Sequence, residues 1–452
     1  MRAVPRKPLH IAWIGFAPTD TGGVPGVATD LLHGLAKLGH RIDCFFAGEE
    51  HELPARLSGF PNITVVWGNS RWRAGRWYSR TRLSGLASHV IARSLGSLRL
   101  RGELGRRHRS DAYDVTYQFA NVENLALPRA VRRSVPLVMH PETHSAGELR
   151  FLIAERRLSF RCQPKRAFAI AVLVLALRSR IQRRKIRAAQ LLVCISSVFR
   201  DHMVADYDYP LARTVVVPNP VRLERFAPTD RAVGEPPVIL VLGRIAARKG
   251  VEHVAALAKR LLERGVDVRF RVVGGTSLWS NYLALLDDMP EENSEYVGRL
   301  PPDRIPGEIA GSDLLLQASK YEPFALTVAE ALAAGVPVVG TTEVGALEGV
   351  DRSVAAAVPP NDVDGLARAI TDTLARLPGE RHALATLARS EAERLFAPDV
   401  VAAQISDALE GLVHVGGGAG EPAGAGPVAG ALAGPAGNGA GAGAAPTSAS
   451  SS

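Results

Sequence analysis

The chain is poor in cysteine, and its three cysteines form no recognisable set. Cys44, Cys162 and Cys194 are widely separated, which excludes both a Cys-x-x-Cys metal pair and a disulfide framework. Cys44 and Cys194 lie in apolar, strand-like runs, where a buried reduced thiol is the usual state. Reduced thiols favour a cytoplasmic location.

The chain also lacks an apolar run long enough to cross a membrane. Residues Met1–Pro8 are basic and lead straight into a strand-like run rather than into the apolar core of a signal peptide. The strongest apolar run, Ala167–Leu177, has about half of the ~20 residues that a spanning helix needs. Because arginines and lysines flank it, two interpretations stay open: a helix buried in the core, or a helix lying in a membrane interface.

Lysine is scarce relative to arginine. The net charge is +9 and the pI is about 9.7, almost wholly because of arginine. Such a surface attracts anions in general, although a genomic bias toward arginine codons would give the same composition. The stretch Arg71–Arg109 carries eleven arginines and is expected outside the core, as a substrate-binding or membrane-facing excursion or as a solvated loop. No nucleic-acid motif accompanies it, so we expect no nucleic-acid partner.

Short apolar runs alternate with helix-length segments along most of the chain. Runs of this length are typical of strands buried on both faces of a parallel sheet. Seven predicted strands precede a polar break at Thr229–Pro237: His10–Phe16, Arg41–Phe46, Ile63–Trp67, Tyr113–Phe119, Pro136–His140, Leu191–Ser196 and Thr214–Pro218. Five follow it: Val238–Leu242, Val268–Val273, Tyr296–Val297, Asp313–Gln317 and Pro337–Gly340. The pattern predicts an α/β fold of two Rossmann-like, doubly wound domains that face a cleft.

We place the N-terminal domain at residues 1–225 and the C-terminal domain at residues 226–395. A helix at 396–414 is expected to return to the N-terminal domain. Residues 415–452 are nearly all glycine, alanine, proline and serine, a composition that predicts a disordered tail.

The most informative segment is Ser319–Val339, with the sequence SKYEPFALTVAEALAAGVPVV. Glu322 precedes a turn, and Glu330 lies eight residues after Glu322. Thr327, between the two glutamates, is a plausible helix N-cap. A helix N-terminus offers free backbone N–H groups and a positive dipole end to an anion such as a diphosphate. The residues predicted to present those groups are Phe324, Ala325, Leu326 and Thr327. Glu322 is then placed to accept hydrogen bonds from sugar hydroxyls, and Glu330 from the two hydroxyls of a ribose.

A second segment, Val238–Gly250 (VILVLGRIAARKG), places two cations at the end of a buried strand. Gly243 permits a close approach of backbone and ligand. Arg244 and Lys249 would reach phosphate oxygens and stabilise negative charge on a departing diphosphate.

The third segment is the first strand–helix turn, Gly15–Asp30. Its glycines, which include Gly22 and Gly23, resemble a dinucleotide fingerprint, but the G-x-G-x-x-G spacing is absent. This absence argues against an NAD site, although the turn can still bring backbone N–H groups to a phosphate or a sugar.

Together these segments resemble glycosyltransferase family four, the retaining GT-B enzymes. The shared pattern, in chain order, consists of Gly22-Gly23, a leucine-rich helix closing on Gly39-His40, Pro218-Asn219-Pro220, GR-x4-KG at 243–250, and E-P-F-x-L-x3-E-A-L-A-x-G-x-P-V-V at 322–339. The resemblance runs from about residue 9 to residue 412 and is stronger in the C-terminal half.

The resemblance implies that residues 226–395 bind a nucleotide diphosphate sugar and that residues 1–225 bind a hydroxyl acceptor: a lipid-linked molecule, a glycan or a small molecule. It implies these roles: Arg244 and Lys249 hold the diphosphate, the Gly23 amide approaches it, Glu330 holds the ribose, Glu322 and His140 contact the sugar, and Arg299 and Leu300 within Gly298–Pro301 line the base. His144 could share or replace the role of His140. The family loop usually has glycine where Ala325 stands, a change that a backbone-amide role should tolerate.

Two Asp-x-Asp patterns, Asp206–Asp208 and Asp362–Asp364, imitate the metal motif of the other glycosyltransferase fold. Neither lies in the expected context, so we expect no metal and no separate cofactor, with Arg244 and Lys249 replacing the cation. The alternatives are an epimerase or a sugar phosphorylase on the same scaffold, and a non-catalytic sugar-nucleotide-binding protein. The expected location is the cytoplasm, with peripheral attachment to an anionic membrane surface, the inner face of the plasma membrane, left open.

Overall fold

A computed structural model of the chain describes residues 7–15, 17–20, 22–47, 50–68, 82–120, 126–228, 232–276 and 281–416. Within residues 82–94 and 415–416 it describes the backbone alone. Residues 71–81 of the basic stretch and residues 417–452 of the predicted tail lie outside the described part of the chain.

The N-terminal domain is built on a seven-stranded sheet in which all strands run parallel. From edge to edge the strands are β3 (Ile63–Trp67), β2 (Arg41–Phe46), β1 (His10–Ile14), β4 (Val115–Phe119), β5 (Leu137–His140), β6 (Leu191–Cys194) and β7 (Thr214–Val216). The helices are α1 (Val24–Lys37), α2 (Ala55–Ser58), α3 (Arg82–Ser110), α4 (Arg129–Ser134), α5 (Ser145–Ala154), α6 (Arg156–Cys162), α7 (Lys165–Ile186) and α8 (Ser197–Tyr207).

The C-terminal domain has a six-stranded parallel sheet. Its strands are β10 (Ser294–Gly298), β9 (Arg269–Val273), β8 (Val238–Leu242), β11 (Leu314–Gln317), β12 (Val338–Thr341) and β13 (Ala355–Val358), in that spatial order. Its helices are α9 (Val251–Glu263), α10 (Ile305–Ala310), α11 (Leu326–Ala333) and α12 (Val363–Phe396). The predicted fold class of two Rossmann-like domains is therefore confirmed.

The predicted strands agree closely with these sheets. Strands β2, β3 and β8 have the predicted bounds, and the others differ by at most two residues at an end. The sequence analysis missed β13, whose sequence AAAV carries little intrinsic strand preference because alanine is depleted in strands.

The last helix, α13 (Pro398–Gly416), returns to the N-terminal domain as expected. Its Val401, Ile405 and Leu409 are fully buried in the same hydrophobic cluster as α1 and the first sheet. A Cβ on Gly34 of α1 would lie 2.4 Å from the Cβ of Ala402, so the absence of a side chain at Gly34 lets the two helices approach closely.

The expectation that Arg71–Arg109 lies outside the core is wrong for its C-terminal part. Residues 82–110 form α3, and Leu100 and Leu104 of this helix are buried in a cluster that includes Phe45 of β2. A high arginine content hid the few leucines that anchor the helix, since long charged helices bury only a narrow apolar face.

Helix α7 contains the apolar run Ala167–Leu177, and the interpretation of this run as a buried helix is wrong. Leu173 is 70% exposed and Leu177 is 57% exposed, whereas Ala171, Gln182 and Ile186 are buried. Among the described residues, no helix is both long enough and apolar enough to span a bilayer.

Direct contacts join the two domains around the cleft. The Ser196 hydroxyl donates to the carbonyl oxygen of Pro323 at 2.7 Å, and Glu348 accepts from the amides of Ser197 and Val198 at 2.7 and 2.8 Å. The Lys320 ammonium donates to Glu155 at 2.6 Å. These bonds hold the segment around Pro323 against the N-terminal domain.

Candidate active site

The carboxyl ends of the central strands of both sheets open onto one cavity of about 840 Å³, which we name the central cavity. Four stretches of chain supply most of its lining: Val24 at the start of α1, residues 142–148 after β5, residues 242–249 after β8, and residues 321–327 after β11. A cleft at the carboxyl ends of parallel strands is the usual place for a ligand in an open α/β sheet. The structure brings these predicted site residues together here: Arg244, Lys249, Glu322, Phe324, Ala325, Leu326 and Thr327.

Glu322 is the anionic centre of the cavity wall and is only 8% exposed. Its Oε2 lies 2.5 Å from Lys249 Nζ and 2.7 Å from Arg248 Nη1. Burial by itself would raise the pKa of the Glu322 carboxyl, but the two adjacent cations outweigh burial and lower it to about 2. Glu322 is therefore ionised at neutral pH and held rigidly.

Arg248 is a site residue that the sequence analysis missed. Its guanidinium pairs with Glu322 and also donates to the carbonyl oxygen of Tyr321 at 3.2 Å. A short 3-10 helix, Ala247–Lys249, turns Arg248 and Lys249 toward the same carboxylate, and it ends at Gly250, whose φ is +68°. A Cβ on Gly250 would lie 2.0 Å from a backbone oxygen, so only glycine fits there. The adjacent cations of the Ala-Arg-Lys-Gly sequence were the available signal.

Arg244 follows Gly243 directly at the end of β8 and is exposed in the cavity. Its guanidinium is thus available to a ligand, unlike that of Arg248, which is held by Glu322. The two arginines consequently differ in their surroundings: Arg244 faces the cavity and Arg248 fixes the carboxylate.

The loop from Pro323 to Ala325 leads into α11, which begins at Leu326. The prediction that Thr327 is the N-cap is wrong: the cap residue is Ala325, and the Thr327 hydroxyl lies 3.4 Å from the Gln317 side-chain oxygen. The amides of Leu326 and Thr327 belong to the first helical turn, where N–H groups have no acceptor within the helix. Leu326 and Thr327 line the cavity at the positive end of the helix dipole, a suitable position for an anion.

Glu330 lies one turn further along α11 and lines an adjoining cavity with the first strand–helix turn of the N-terminal domain. Gly22 and Gly23 belong to that turn, and a Cβ on Gly22 would be 4.0 Å from Glu330 Oε1. Burial raises the pKa of Glu330 to about 7, against an opposing effect of Arg225. The two glycines and Glu330, predicted from opposite halves of the chain, thus face each other across the cleft.

His140 is fully buried at the end of β5 and does not line the central cavity, although a direct sugar contact was expected of it. Its Nδ1 lies 2.6 Å from the Tyr117 hydroxyl, and burial lowers its pKa to about 3, so the ring is neutral. His144, the alternative, does line the cavity; its Nδ1 lies 3.0 Å from the Tyr321 hydroxyl.

Glu142 lies between these two histidines in the sequence, lines the cavity and was missed by the sequence analysis. Its Oε2 accepts from Asn219 at 2.8 Å, while its Oε1 is buried 3.5 Å from His140 Nε2 without a hydrogen bond. Burial raises the pKa of Glu142 to about 7. A carboxyl two residues beyond a strand end was the signal, and Asn219 of the Pro-Asn-Pro pattern is its partner.

Arg299 and Leu300, predicted to line a base, lie just beyond the carboxyl end of the edge strand β10. Arg299 is exposed, and Leu300 packs partly buried against the large C-terminal core. Neither residue lines the two cavities described above, so their role stays a prediction.

The aspartates of both Asp-x-Asp patterns have structural partners. Asp206 pairs with Arg150 at 2.7 Å and Asp208 with Arg187. Asp362 caps α12 by accepting from the Gly365 amide at 2.8 Å, and Asp364 pairs with Arg260 and Arg264. In the part of the chain that the structure describes, no group of three or more His, Cys, Asp or Glu side chains could hold a metal ion.

Two family models match adjoining parts of the chain. Residues 21–225 match the family described as Glycosyltransferase Family 4, and residues 225–390 match the family described as Glycosyl transferases group 1. The chain belongs to the GT4-type glycosyltransferases. The junction of the two matches at residue 225 lies between β7 and β8, where the first sheet ends and before the second begins.

Several individual proteins that resemble the chain are glycosyltransferases by name. The chain is similar to the D-inositol 3-phosphate glycosyltransferase of Kribbella flavida, with 27% identity over 423 residues that cover 87% of this chain and 92% of that protein. The chain spans about half or less of the length of several other curated relatives that it matches.

Among solved structures, the sucrose-phosphate synthase of Thermosynechococcus elongatus has a TM-score of 0.62 and 19% identity, covering 90% of this chain and 100% of that one. HepE of Anabaena, solved in complex with UDP-glucose, has a TM-score of 0.54 and 18% identity, covering 89% and 100%. At these identities the likenesses show the GT-B fold alone.

The left-handed backbone of Ala325, where φ is +77°, generates a stability prediction. For an L-residue this conformation costs roughly 1–2 kcal/mol. Glycine removes this cost in the folded state, but its greater backbone entropy in the unfolded state offsets part of the gain. We expect Ala325→Gly to raise the free energy of unfolding of this glycosyltransferase by about 1 kcal/mol, measured by urea denaturation. Ala329→Gly, inside the same helix, should lower it; a destabilised Ala325→Gly would contradict the left-handed cap.

Glu142 generates a prediction about pH. Because its folded pKa of about 7 lies above the ordinary value of 4.5, the stability that this group contributes is complete below pH 4.5 and is lost as the pH rises through 7. We expect Glu142→Gln to match the wild type near pH 4 and to exceed its free energy of unfolding by up to about 3 kcal/mol at pH 9. Denaturant melts across that range measure the difference. A difference that is independent of pH would show that Glu142 is not a buried, protonated carboxyl.

Proposed function

We propose that this glycosyltransferase moves a hexose-type sugar from a nucleotide diphosphate sugar to a hydroxyl acceptor, with retention of anomeric configuration and without a metal ion. The observation that carries the proposal is the ionised Glu322, fixed by Arg248 and Lys249, opposite the N-terminus of α11 in one cavity. A set of cations and helix amides beside a fixed carboxylate suits a ligand with an anionic half and a hydroxyl-rich half.

The diphosphate would bind where positive charge converges. Arg244 is exposed in the cavity, the Lys249 ammonium lies on the wall, and the amides of Leu326 and Thr327 point from the start of α11. As the bond from the sugar to the diphosphate breaks, negative charge grows on the leaving oxygen. Pre-positioned donors stabilise this charge without reorganising, and in this proposal they replace a divalent cation.

The nucleoside would extend from the diphosphate toward Glu330 and the glycine turn. Glu330 and Gly22 face each other in the adjoining cavity, so a ribose between them would contact both domains. Burial raises the pKa of Glu330 to about 7, and two ribose hydroxyls that donate to its carboxylate would offset the cost of the buried charge. The exposed Arg299 at the end of β10 remains the candidate for contacts with the base.

Glu322 would position the sugar rather than attack it. With two cations on Oε2 and a pKa of about 2, its carboxylate is a weak nucleophile. We therefore propose front-side attack: the acceptor hydroxyl approaches the face from which the diphosphate departs, and the departing phosphate oxygen takes the hydroxyl proton. Proton NMR of the first product formed tests the stereochemistry, since an inverted anomeric configuration would contradict the proposal. Activity that is unchanged by EDTA tests the independence from metal.

Lys249 is the residue to change first. We expect Lys249→Ala to reduce transfer 10²–10³-fold, the usual cost of removing one preorganised charge-stabilising donor, while Arg248 still pairs with Glu322 and keeps the fold intact. Lys259→Ala, an exposed lysine on α9, is the matched control and should transfer normally. Release of nucleotide with and without acceptor is followed by chromatography of labelled donors. Wild-type turnover in Lys249→Ala, or products typical of an epimerase or phosphorylase, would contradict the assignment.

We also propose that the protein is cytoplasmic and docks peripherally on an anionic membrane through α7. We name the exposed side chains Ile170, Leu173, Leu177 and Ile181 the α7 stripe; they repeat at helical spacing on one face. The helix carries basic residues at both ends and no acidic residue in its sequence. An exposed aliphatic stripe flanked by cations is the pattern of a helix that lies in the headgroup region of acidic lipids.

Co-sedimentation with liposomes tests this docking. We expect binding to vesicles that contain phosphatidylserine, weaker binding at high salt because the charges are screened, and at least about tenfold weaker partitioning for the double variant Leu173→Ser with Leu177→Ser, from two lost apolar insertions. Leu211→Ser, an equally exposed leucine away from α7, is the control. Equal binding of all variants would exclude the α7 stripe as the docking surface.

A further inference from the structure

A second cavity of about 1080 Å³, which we name the side cavity, opens beside the central cavity. The two share Thr143, Glu148, Arg244 and Arg248 in their linings, so they are neighbouring chambers of one cleft. A molecule in the side cavity can therefore reach polar groups at the place where the proposed sugar would be transferred. The other residues that line the side cavity take no part in the donor contacts proposed above.

Most of the remainder is apolar: two helices of the N-terminal domain supply one wall of it, and Ala246, Ala247 and Tyr282 of the C-terminal domain complete the lining. Phe151 and Leu152 of α5 and Ala171, Val174 and Leu175 of α7 form the wall. The Phe151 ring is stacked on Tyr321 at 5.3 Å with an interplanar angle of 5°, so this end of the wall is fixed against the segment that holds Glu322. A chamber that is polar at the transfer site and aliphatic beyond it matches a ligand with a polar head and an apolar chain.

Helix α7 has two apolar faces. Residues 171, 174, 175 and 178 have the i, i+3, i+4, i+7 spacing of one face and line the side cavity. The α7 stripe occupies another face and points away from the protein. Arg178, at the end of the cavity-lining face, is exposed and places a cation at the margin of the apolar wall. The same helix thus separates a chamber beside the transfer site from the surface that offers aliphatic side chains to a lipid phase.

We propose that the acceptor of this glycosyltransferase is an amphiphile, with its hydroxyl-bearing head at Thr143 and Glu148 and its hydrocarbon chain along the α5–α7 wall of the side cavity. This rests on the proposed function. In the transfer, the acceptor oxygen forms a bond to the anomeric carbon, the bond from that carbon to the diphosphate breaks, and the acceptor proton leaves with the diphosphate. The products are a glycosylated amphiphile and a nucleoside diphosphate.

A fluorescent acyl-chain probe, 11-(dansylamino)undecanoic acid, tests the chain site directly, because it brightens when its chain enters an apolar cavity. With a saturating nucleoside diphosphate, chosen as the one that most raises the thermal stability of the wild type, we expect saturable binding of one probe per chain of the full-length protein. Val174→Trp, which fills the wall, should weaken the probe at least about tenfold, since several methylenes lose their burial. Ala169→Trp, at an exposed position of the same helix, is the matched control and should bind normally.

The outcomes separate the two proposals. No saturable probe binding by the wild type, or equal binding by Val174→Trp, would overturn the amphiphile site. Thermal stabilisation of Val174→Trp by the same nucleoside diphosphate shows that the variant is folded with its nucleotide site intact; Leu175→Phe serves in its place if the tryptophan prevents folding. Probe binding without sugar transfer from any nucleotide sugar would overturn the proposed function alone.

Transfer to alkyl β-glucosides provides the functional arm. For the wild type, kcat/KM should rise at least about tenfold from the methyl to the octyl compound, and this rise should vanish in Val174→Trp and persist in Ala169→Trp. A kcat/KM that does not depend on chain length would show that the acceptor is a water-soluble molecule and would contradict the inference.

Discussion

The pairing of Glu322 with Arg248 and Lys249 is the interaction on which the site depends. A buried carboxylate is tolerated only where cations and hydrogen bonds compensate for its lost hydration. Here the loop after β8 supplies the cations, and the loop after the neighbouring strand β11 supplies the carboxylate. The pairing therefore fixes two loops at once. It also leaves Arg244 facing the cavity, because Arg248 has taken the structural role.

The same segment couples the site to the other domain. Tyr321, next to Glu322, stacks on Phe151 of α5, and its hydroxyl lies 3.0 Å from His144. A movement between the domains would thus displace Tyr321, the neighbour of the charged cluster. A nucleotide bound to both domains, as proposed, would favour the arrangement in which the domains are in contact. The N-terminal domain contributes the Glu142–Asn219 pair and the α5–α7 wall, where we propose that the acceptor binds.

The sequence predicted what depends on periodicity and missed what depends on spatial neighbours. Continuous apolar runs located twelve of the thirteen strands, and the alanine-rich β13 escaped because tertiary pairing, rather than propensity, makes it a strand. Arg244, Lys249 and Glu322 were predicted from a local pattern, and the fold brought them together. Arg248 and Glu142 could not be ranked above other charged residues, because their partners lie 74 and 77 positions away. His140 and Thr327 show the opposite error: each is a suitable residue type at the end of a strand or helix and was assigned a role there. Packing instead buries His140 and makes Ala325 the cap of α11.

A crystal structure with a nucleoside diphosphate bound tests the central claim most directly. The account predicts phosphate oxygens within hydrogen-bond distance of the Arg244 guanidinium, the Lys249 ammonium and the amides of Leu326 and Thr327, with the ribose at Glu330. A diphosphate bound elsewhere, for example on the glycine turn alone with the Glu322 cluster unengaged, would contradict it.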